Sequence, residues 1–286
     1  EQATGASNTA VGSHALQVST ANYITAIGTS CLAANTSGHD NVGLGYQVLD
    51  ANTTGGNNTA AGSGALGQNT TASNNTAFGF TALTANTTGV YNTAVGANAL
   101  DACTTNSFNV AVGSGALGSS NQSANTAVGH NAAHSATSAA NLVCIGTDAG
   151  NSITSGSSNT FVGRNAGTTI STGSNNLILG AGADVGSNVT SNTVVLGNSS
   201  ISSLQCQTQT ISALSDARDK TDIEDSIDGL DLINLLKPRK FTWAMREASD
   251  NDGKTELGFI AQELESALGD KNDYIHAVDK ENPDKL

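Results

Sequence analysis

Over the first 200 residues the apolar positions follow neither a long helical period nor a sustained strand alternation. They come as brief runs that end at a glycine. The residue just before the glycine is apolar: Val11, Ile27, Leu44, Phe78, Val95, Val112, Ile145, Leu179. Two before, it is usually small: Ala10, Ala26, Ala60, Ala77, Ala94. Three before stands Thr or an aliphatic residue, as at Thr9, Val42, Thr93, Val110 and Leu177. The glycines themselves fall at 12, 28, 45, 62, 79, 96, 113, 129, 146, 163, 180 and 197, so every interval is 16 or 17 residues. A second apolar pair often follows (Ala15-Leu16, Ala65-Leu66, Ala99-Leu100), and turn-rich stretches such as Asn52-Thr-Thr-Gly55 separate the repeats.

Twelve repeats at one spacing predict a repeat architecture in which each unit gains stability by stacking on the next. Each repeat supplies one short strand. A strand alternates its faces, so the residues one and three before the glycine share a face and the small residue lies on the other. One face fills the interior of a coil. The Ala-lined face is expected to suit the close approach of another chain, burying it in a symmetric trimer. The fold class expected is therefore mostly β: a β-solenoid or β-roll shaft over 1–200, about 58 Å long at about 4.8 Å per strand. The segment resembles the left-handed β-roll heads of trimeric bacterial adhesins and similar repeats of phage tail fibres; the adhesin repeats are shorter.

Charge divides the chain. Residues 1–214 hold one basic residue, Arg164, and six acidic ones; residues 215–286 hold ten basic and eighteen acidic residues and both prolines. The boundary is expected there, with 201–214 a connector and 215–286 a small α+β domain. A net charge of −13 argues against a nucleic-acid partner, because phosphate binding draws on clustered Lys and Arg. No apolar run reaches the roughly 18 residues of a membrane-spanning helix, so membrane insertion is not expected. Glu1 is expected to be an internal position of a longer protein.

Candidate chemistry within the repeats is sparse. Cys31 and Cys144 occupy slots that other repeats fill with small residues, and are expected to be buried apolar groups. The four cysteines show no metal-ligand spacing; neither a metal nor a cofactor is expected. Asp50 and Asp101 share one phase, but three rungs, about 14 Å, separate them. Paired glycosidase carboxylates stand about 5–10 Å apart. Ice binding by Thr ladders is disfavoured on the expectation that the Thr positions lie in the buried strand pattern.

After residue 200 the repeat fades through Ile201-Ser-Ser-Leu204 and Ile211-Ser-Ala-Leu214. Thr221-Asp-Ile-Glu224 reads as a capping box, followed by helical spacing through Leu236 that Pro238 ends. Lys240-Phe-Thr-Trp243 reads as a strand, Asp250-Asn-Asp-Gly253 as a turn, and Gly258-Phe-Ile-Ala-Gln-Glu-Leu264 as running into a helix.

Three segments carry a sharper signal: Ser215-Asp-Ala-Arg-Asp-Lys220, Leu232-Ile-Asn-Leu-Leu-Lys-Pro-Arg-Lys-Phe-Thr-Trp243 and Gly258-Phe-Ile-Ala-Gln-Glu263. Together they resemble the intramolecular chaperone domain of endosialidases and other phage tailspikes and fibres, the S74 class of self-cleaving peptidases. Domains of that family continue into a long C-terminal helix, so this one is expected to be incomplete at Leu286. The resemblance implies a single-turnover Ser–Lys autoprotease, with Ser215 as nucleophile, Lys220 as base and Leu214–Ser215 as the bond cut. Asp216 and Arg218 are possible supporting groups. Lys titrates near 10.4 when unperturbed, so it serves as a base only if desolvated or set beside positive charge; Arg218 could supply that charge, or pair with Asp216 or Asp219.

The function expected on this resemblance is that of a viral tail fibre or tailspike segment for host attachment, exposed on the virion and synthesised in the host cytoplasm. Its partners are then its own copies in a homotrimer, a glycan-type receptor on the host surface and other tail proteins. Two alternatives stay open: a trimeric bacterial surface adhesin, and a carbohydrate-degrading tailspike with its active site elsewhere.

Overall fold

The computed structural model describes residues 5–203 and, further on, 234, 236–242, 255–260, 262, 263 and 266. The chain divides into two compact units, Glu1–Gln205 and Cys206–Leu286.

The first unit is a parallel β-solenoid. Its strands, three residues each, are β1 (Thr9–Val11), β2 (Thr25–Ile27), β3 (Val42–Leu44), β4 (Thr59–Ala61), β5 (Thr76–Phe78), β6 (Thr93–Val95), β7 (Val110–Val112), β8 (Thr126–Val128), β9 (Val143–Ile145), β10 (Thr160–Val162), β11 (Leu177–Leu179) and β12 (Val194–Leu196). They form one sheet in sequence order, each paired in parallel with the next. Equivalent residues meet: Thr93 opposite Val110, Ala94 opposite Ala111, Val95 opposite Val112. The repeating glycines stack as the periodicity predicts. A Cβ on Gly12 would fall on Gly28, one on Gly28 on Gly45, and so on to Gly180 and Gly197.

The faces are the reverse of the sequence expectation. The alanines two before each glycine do not await another chain: Ala26, Ala60, Ala77, Ala94, Ala111 and Ala127 are 0% exposed and form the core. The residues one before the glycine point outward, with Phe78 42% and Ile145 40% exposed. The Thr residues of β2, β4, β5 and β6 share that outer face and are half-buried. Concealment therefore gives no ground against Thr-ladder binding.

Space explains the reversal. The opposite wall of each coil contributes two consecutive buried residues, such as Ala65-Leu66 and Ala99-Leu100. Both turn inward because the leucine adopts a left-handed backbone, with φ of 50° at Leu66 and 53° at Leu100, a conformation that costs an L residue roughly 1–2 kcal/mol. Burying a Leu side chain returns about 1.5–3 kcal/mol. Where one leucine and one Ala-sized partner fill the cross-section, no room is left for Val or Ile on the inner strand face. Two large inner residues, Phe161 and Ile178, support the rule, since Gly167 stands in the leucine slot between them. Phe161 occupies the inner position of β10, where the leucine slots on either side are Gly150 and Gly167. A Cβ on either glycine would lie 2.6 Å from its ring.

Two buried Asn ladders also hold the coils. In one, the Asn before most strands accepts from the backbone N–H of the equivalent residue in the next coil, as in Asn75 N–H to Asn58 Oδ1 at 3.0 Å. Its own amide donates across the coil, Asn58 Nδ2 to Ala72 O at 2.9 Å. In the other, Asn52, Asn69 and Asn86 each donate to the side-chain oxygen of the preceding Asn, at 2.7, 2.7 and 3.1 Å. An amide has both donors and acceptors, so a stack of identical amides satisfies itself with no water. The second ladder then turns apolar, through Cys103 and Ser120 to Ala136, Ile153 and Ile170. Among the described residues no buried side-chain N or O lacks a partner.

In the second unit, β13 (Arg239–Thr242) and β14 (Thr255–Gly258) form an antiparallel pair. The strand read from Lys240–Trp243 is present one residue earlier. Thr255–Gly258 is a strand that the sequence reading did not anticipate; Gln262 and Glu263 beyond it are helical. The capping box at 221–224 and the turn at 250–253 lie outside the described residues.

Candidate functional sites

The residues implied in self-cleavage, Leu214, Ser215, Asp216, Arg218 and Lys220, all lie outside the described residues. What the structure does place is the frame built by the two later segments of family resemblance. Arg239, from the first, and Glu263, from the second, form a two-pronged ion pair. Arg239 Nε donates to Glu263 Oε2 at 2.7 Å and one Nη donates to Oε1 at 2.9 Å. The hydrogen bonds hold the glutamate below the usual carboxylate range and raise the guanidinium further. Both groups are close to half exposed, so the pair fixes geometry more than it adds stability. The Thr242 and Thr255 hydroxyls bond across the strand pair at 2.9 Å. A Cβ on Gly258 would lie 3.3 Å from the Phe241 ring, so that glycine lets the ring lie against the backbone. Arg239, Phe241, Gly258 and Glu263, scattered through two motifs, thus share one small assembly.

In the solenoid, Asp50 and Asp101 do not form a catalytic pair. Burial raises the carboxyl of each, and they follow strands three coils apart, β3 and β6. Asp50 acts instead on Cys31, and Asp101 is drawn down by His134. His134 reaches toward it by leaning over Gly118 and bonding the Gly115 carbonyl at 2.9 Å. Asp184 shows the contrary balance: burial raises its carboxyl, but bonds from the Thr169 hydroxyl, the Val185 and Thr169 N–H groups and the Thr168 hydroxyl outweigh that and hold it low. These bonds join the last coils and leave no free carboxylate edge for a ligand.

Cys31, Cys103 and Cys144 are fully buried and unpaired with one another. Burial pushes their thiols up to about 11, 11 and 12. Since the thiolate is the reactive form, these three are expected to resist a disulfide reagent in the native protein and to react only on denaturation. Rapid native labelling of any of them, located by peptide mapping, would contradict the buried core. Among the described residues no group of three His, Cys, Asp or Glu side chains is placed to hold a metal ion.

Two exposed aromatics, Tyr91 and Phe108, stack in successive coils with centroids 5.4 Å apart and planes 7° from parallel. Sequence reading passed over them. The available signal was their shared phase, one residue before the buried Asn.

Against known proteins, residues 215–272 match the family model of peptidase S74, described as the chaperone of endosialidase. Neither a curated protein nor a solved structure matches the chain significantly. A C-terminal segment of this family behind a repetitive solenoid suggests a protein of the phage tail-fibre or tailspike type.

Proposed function

We propose that the chain is the shaft of a trimeric phage tail fibre or tailspike together with the chaperone domain that assembles it. The observation that carries this reading is the match at 215–272 directly behind twelve nearly interchangeable coils. Interchangeable coils pose a physical problem. A rung-shifted alignment of two chains is locally almost as good as the right one, and unpaired coils expose apolar surface while they search. A compact domain that brings the chains together at one end sets the register before the coils associate.

Cleavage then makes assembly one-way. Ser215 attacks the Leu214 carbonyl, Lys220 takes the hydroxyl proton and returns it to the Ser215 nitrogen as the C–N bond breaks, and the acyl group moves from nitrogen to oxygen. Water opens the resulting ester, leaving an upstream chain that ends at Leu214 and a free domain that begins at Ser215. Without the domain the reverse path is lost, and the shaft persists by kinetic stability. In this reading the shaft stands exposed on the virion beside other tail proteins and serves host attachment. The exposed Tyr91 and Phe108 put two aromatic rings side by side on the surface, groups of the kind that contact sugars, which favours a glycan receptor.

The test is to express the full chain and a version ending at Leu214 side by side. The full chain is expected to yield a soluble assembly of three shafts by light scattering; the shortened chain is expected to aggregate or stay unassembled. A shortened chain that assembles equally well would remove the chaperone role, and a full chain of monomer mass would remove the trimer.

A further inference from the structure

We infer that the outer row of the strand ladder, the residues one and three before each glycine, is the surface through which copies of this chain pack against one another, level with their counterparts. The inference rests on the trimeric reading above and assigns its interface, to the face opposite the one the sequence suggested.

The row is apolar where solvent meets it. Ile27, Leu44, Phe78, Val95 and Ile145 are each 37–42% exposed, although the coil they belong to has a complete core without them. No strand from β1 to β12 carries a charged residue. The nearest charges on the flanks are isolated, Asp40 before β3 and Arg164 after β10. An acidic or basic partner therefore finds nothing to pair with along the row.

Size sets the extent of the contact. The row spans twelve strands, or roughly 53 Å at about 4.8 Å each. From the residue three before the glycine to the one just before it the strand advances two residues, about 7 Å. The footprint of the row is then roughly 350 Å², so an interface of the standard ~800 Å² per partner also takes in side chains that flank it, such as the exposed Tyr46 and Phe80.

Pitch selects the occupant. Apolar side chains recur once per coil, at the strand spacing. A partner that touches every one of them must carry side chains at the same spacing over the same length, and a parallel copy of this solenoid does. Copies related by rotation about an axis along the shaft necessarily set equivalent residues at equal height, so Phe78 lies level with Phe78 and the small Ala61 beneath it with Ala61.

The test uses the full chain. Val95→Asp with Ile145→Asp places charges on the row while leaving the core alanines untouched; Thr88→Asp places one on an exposed turn outside it. Since the domain behind the shaft can hold three chains together by itself, mass is read on the upstream part after its release at Leu214: wild type and Thr88→Asp are expected to show trimer mass by light scattering, and the double variant a threefold lower mass with its strand circular dichroism retained. As a check that does not depend on the charged variant folding, a spin label is attached at Val95→Cys or at Thr88→Cys, each with Cys206→Ser. Labels at 95 are expected within about 20 Å of one another, since packed sheets lie about 10 Å apart, and labels at 88 farther away. A trimeric double variant, or labels at 95 no closer than those at 88, overturns the interface and leaves the trimer standing. A monomeric wild type overturns both.

Discussion

Ser215→Ala is expected to leave the chain in one piece while the wild type separates into two, the upstream one ending at Leu214. The serine hydroxyl is a weak nucleophile until a base removes its proton, and alanine offers no atom for the acyl group to move to. Cleavage should therefore vanish, whereas assembly, which depends on the fold of the domain, should persist as an uncut trimer. Lys220→Ala removes the base and is expected to slow cleavage by roughly 10²- to 10⁴-fold, the usual contribution of positioned proton transfer. Arg218→Ala has a smaller expected effect, because the residue can pair with Asp216 or Asp219 as readily as bias Lys220. Intact mass over time after synthesis reads all three. If wild type and Ser215→Ala both stay whole after trimerising, the autoprotease reading is wrong and the chaperone reading alone is left.

Gly96→Ala is expected to destabilise the shaft by about 4 kcal/mol or more, a large effect for one methyl group. Gly96 has φ of +135°, and a Cβ there would lie 2.6 Å from both the carbonyl carbon and the oxygen of Gly113. Two costs add: a backbone conformation that side chains disfavour, and a collision with main chain. Gly113 cannot yield, because a Cβ on it would meet Gly129 in turn. The coils would have to separate, at the expense of the inter-coil bonds on either side, Gly96 N–H to Phe78 O and Gly113 N–H to Val95 O, each 2.7 Å. Thr88→Ser, on an exposed turn, is the comparison and should shift stability by less than about 0.5 kcal/mol. Denaturant unfolding decides it. A Gly96→Ala midpoint within the range of Thr88→Ser would mean that the stacked glycines are not tightly apposed.

The Asn residues that open most strands show why some of the fold was hidden from sequence reading. An asparagine beside a turn reads as a solvated loop residue, because in isolation a buried amide is costly. Asn41, Asn58, Asn75 and Asn92 are buried because each finds its partners 14 to 17 residues away, in the next coil. The consecutive pairs Ala65-Leu66 and Ala99-Leu100 were misleading in the same way. Adjacent residues on an extended strand face opposite sides, and only the left-handed φ at the leucine turns both inward.

The candidate sites divide similarly. The three motifs at 215–220, 232–243 and 258–263 were legible as words, and residues 215–272 match the chaperone family. That Arg239 and Glu263 are partners across 24 residues was not legible, since spacing alone does not pair two charges.

The sequence by itself determined the period, the twelve stacking glycines, the mostly-β class and the family resemblance of the C-terminal motifs. All of these depend on residue identity at regular spacing. Only the tertiary structure decided which strand face is the core. Alternation says that Ala94 and Val95 point apart, but not which of them points inward. That depends on how much of the coil's cross-section the opposite wall already fills, and Leu83 and Leu100, held in a left-handed turn, leave space for an alanine and no more. The valines are turned out by volume, and with them the surface on which the copies are proposed to meet.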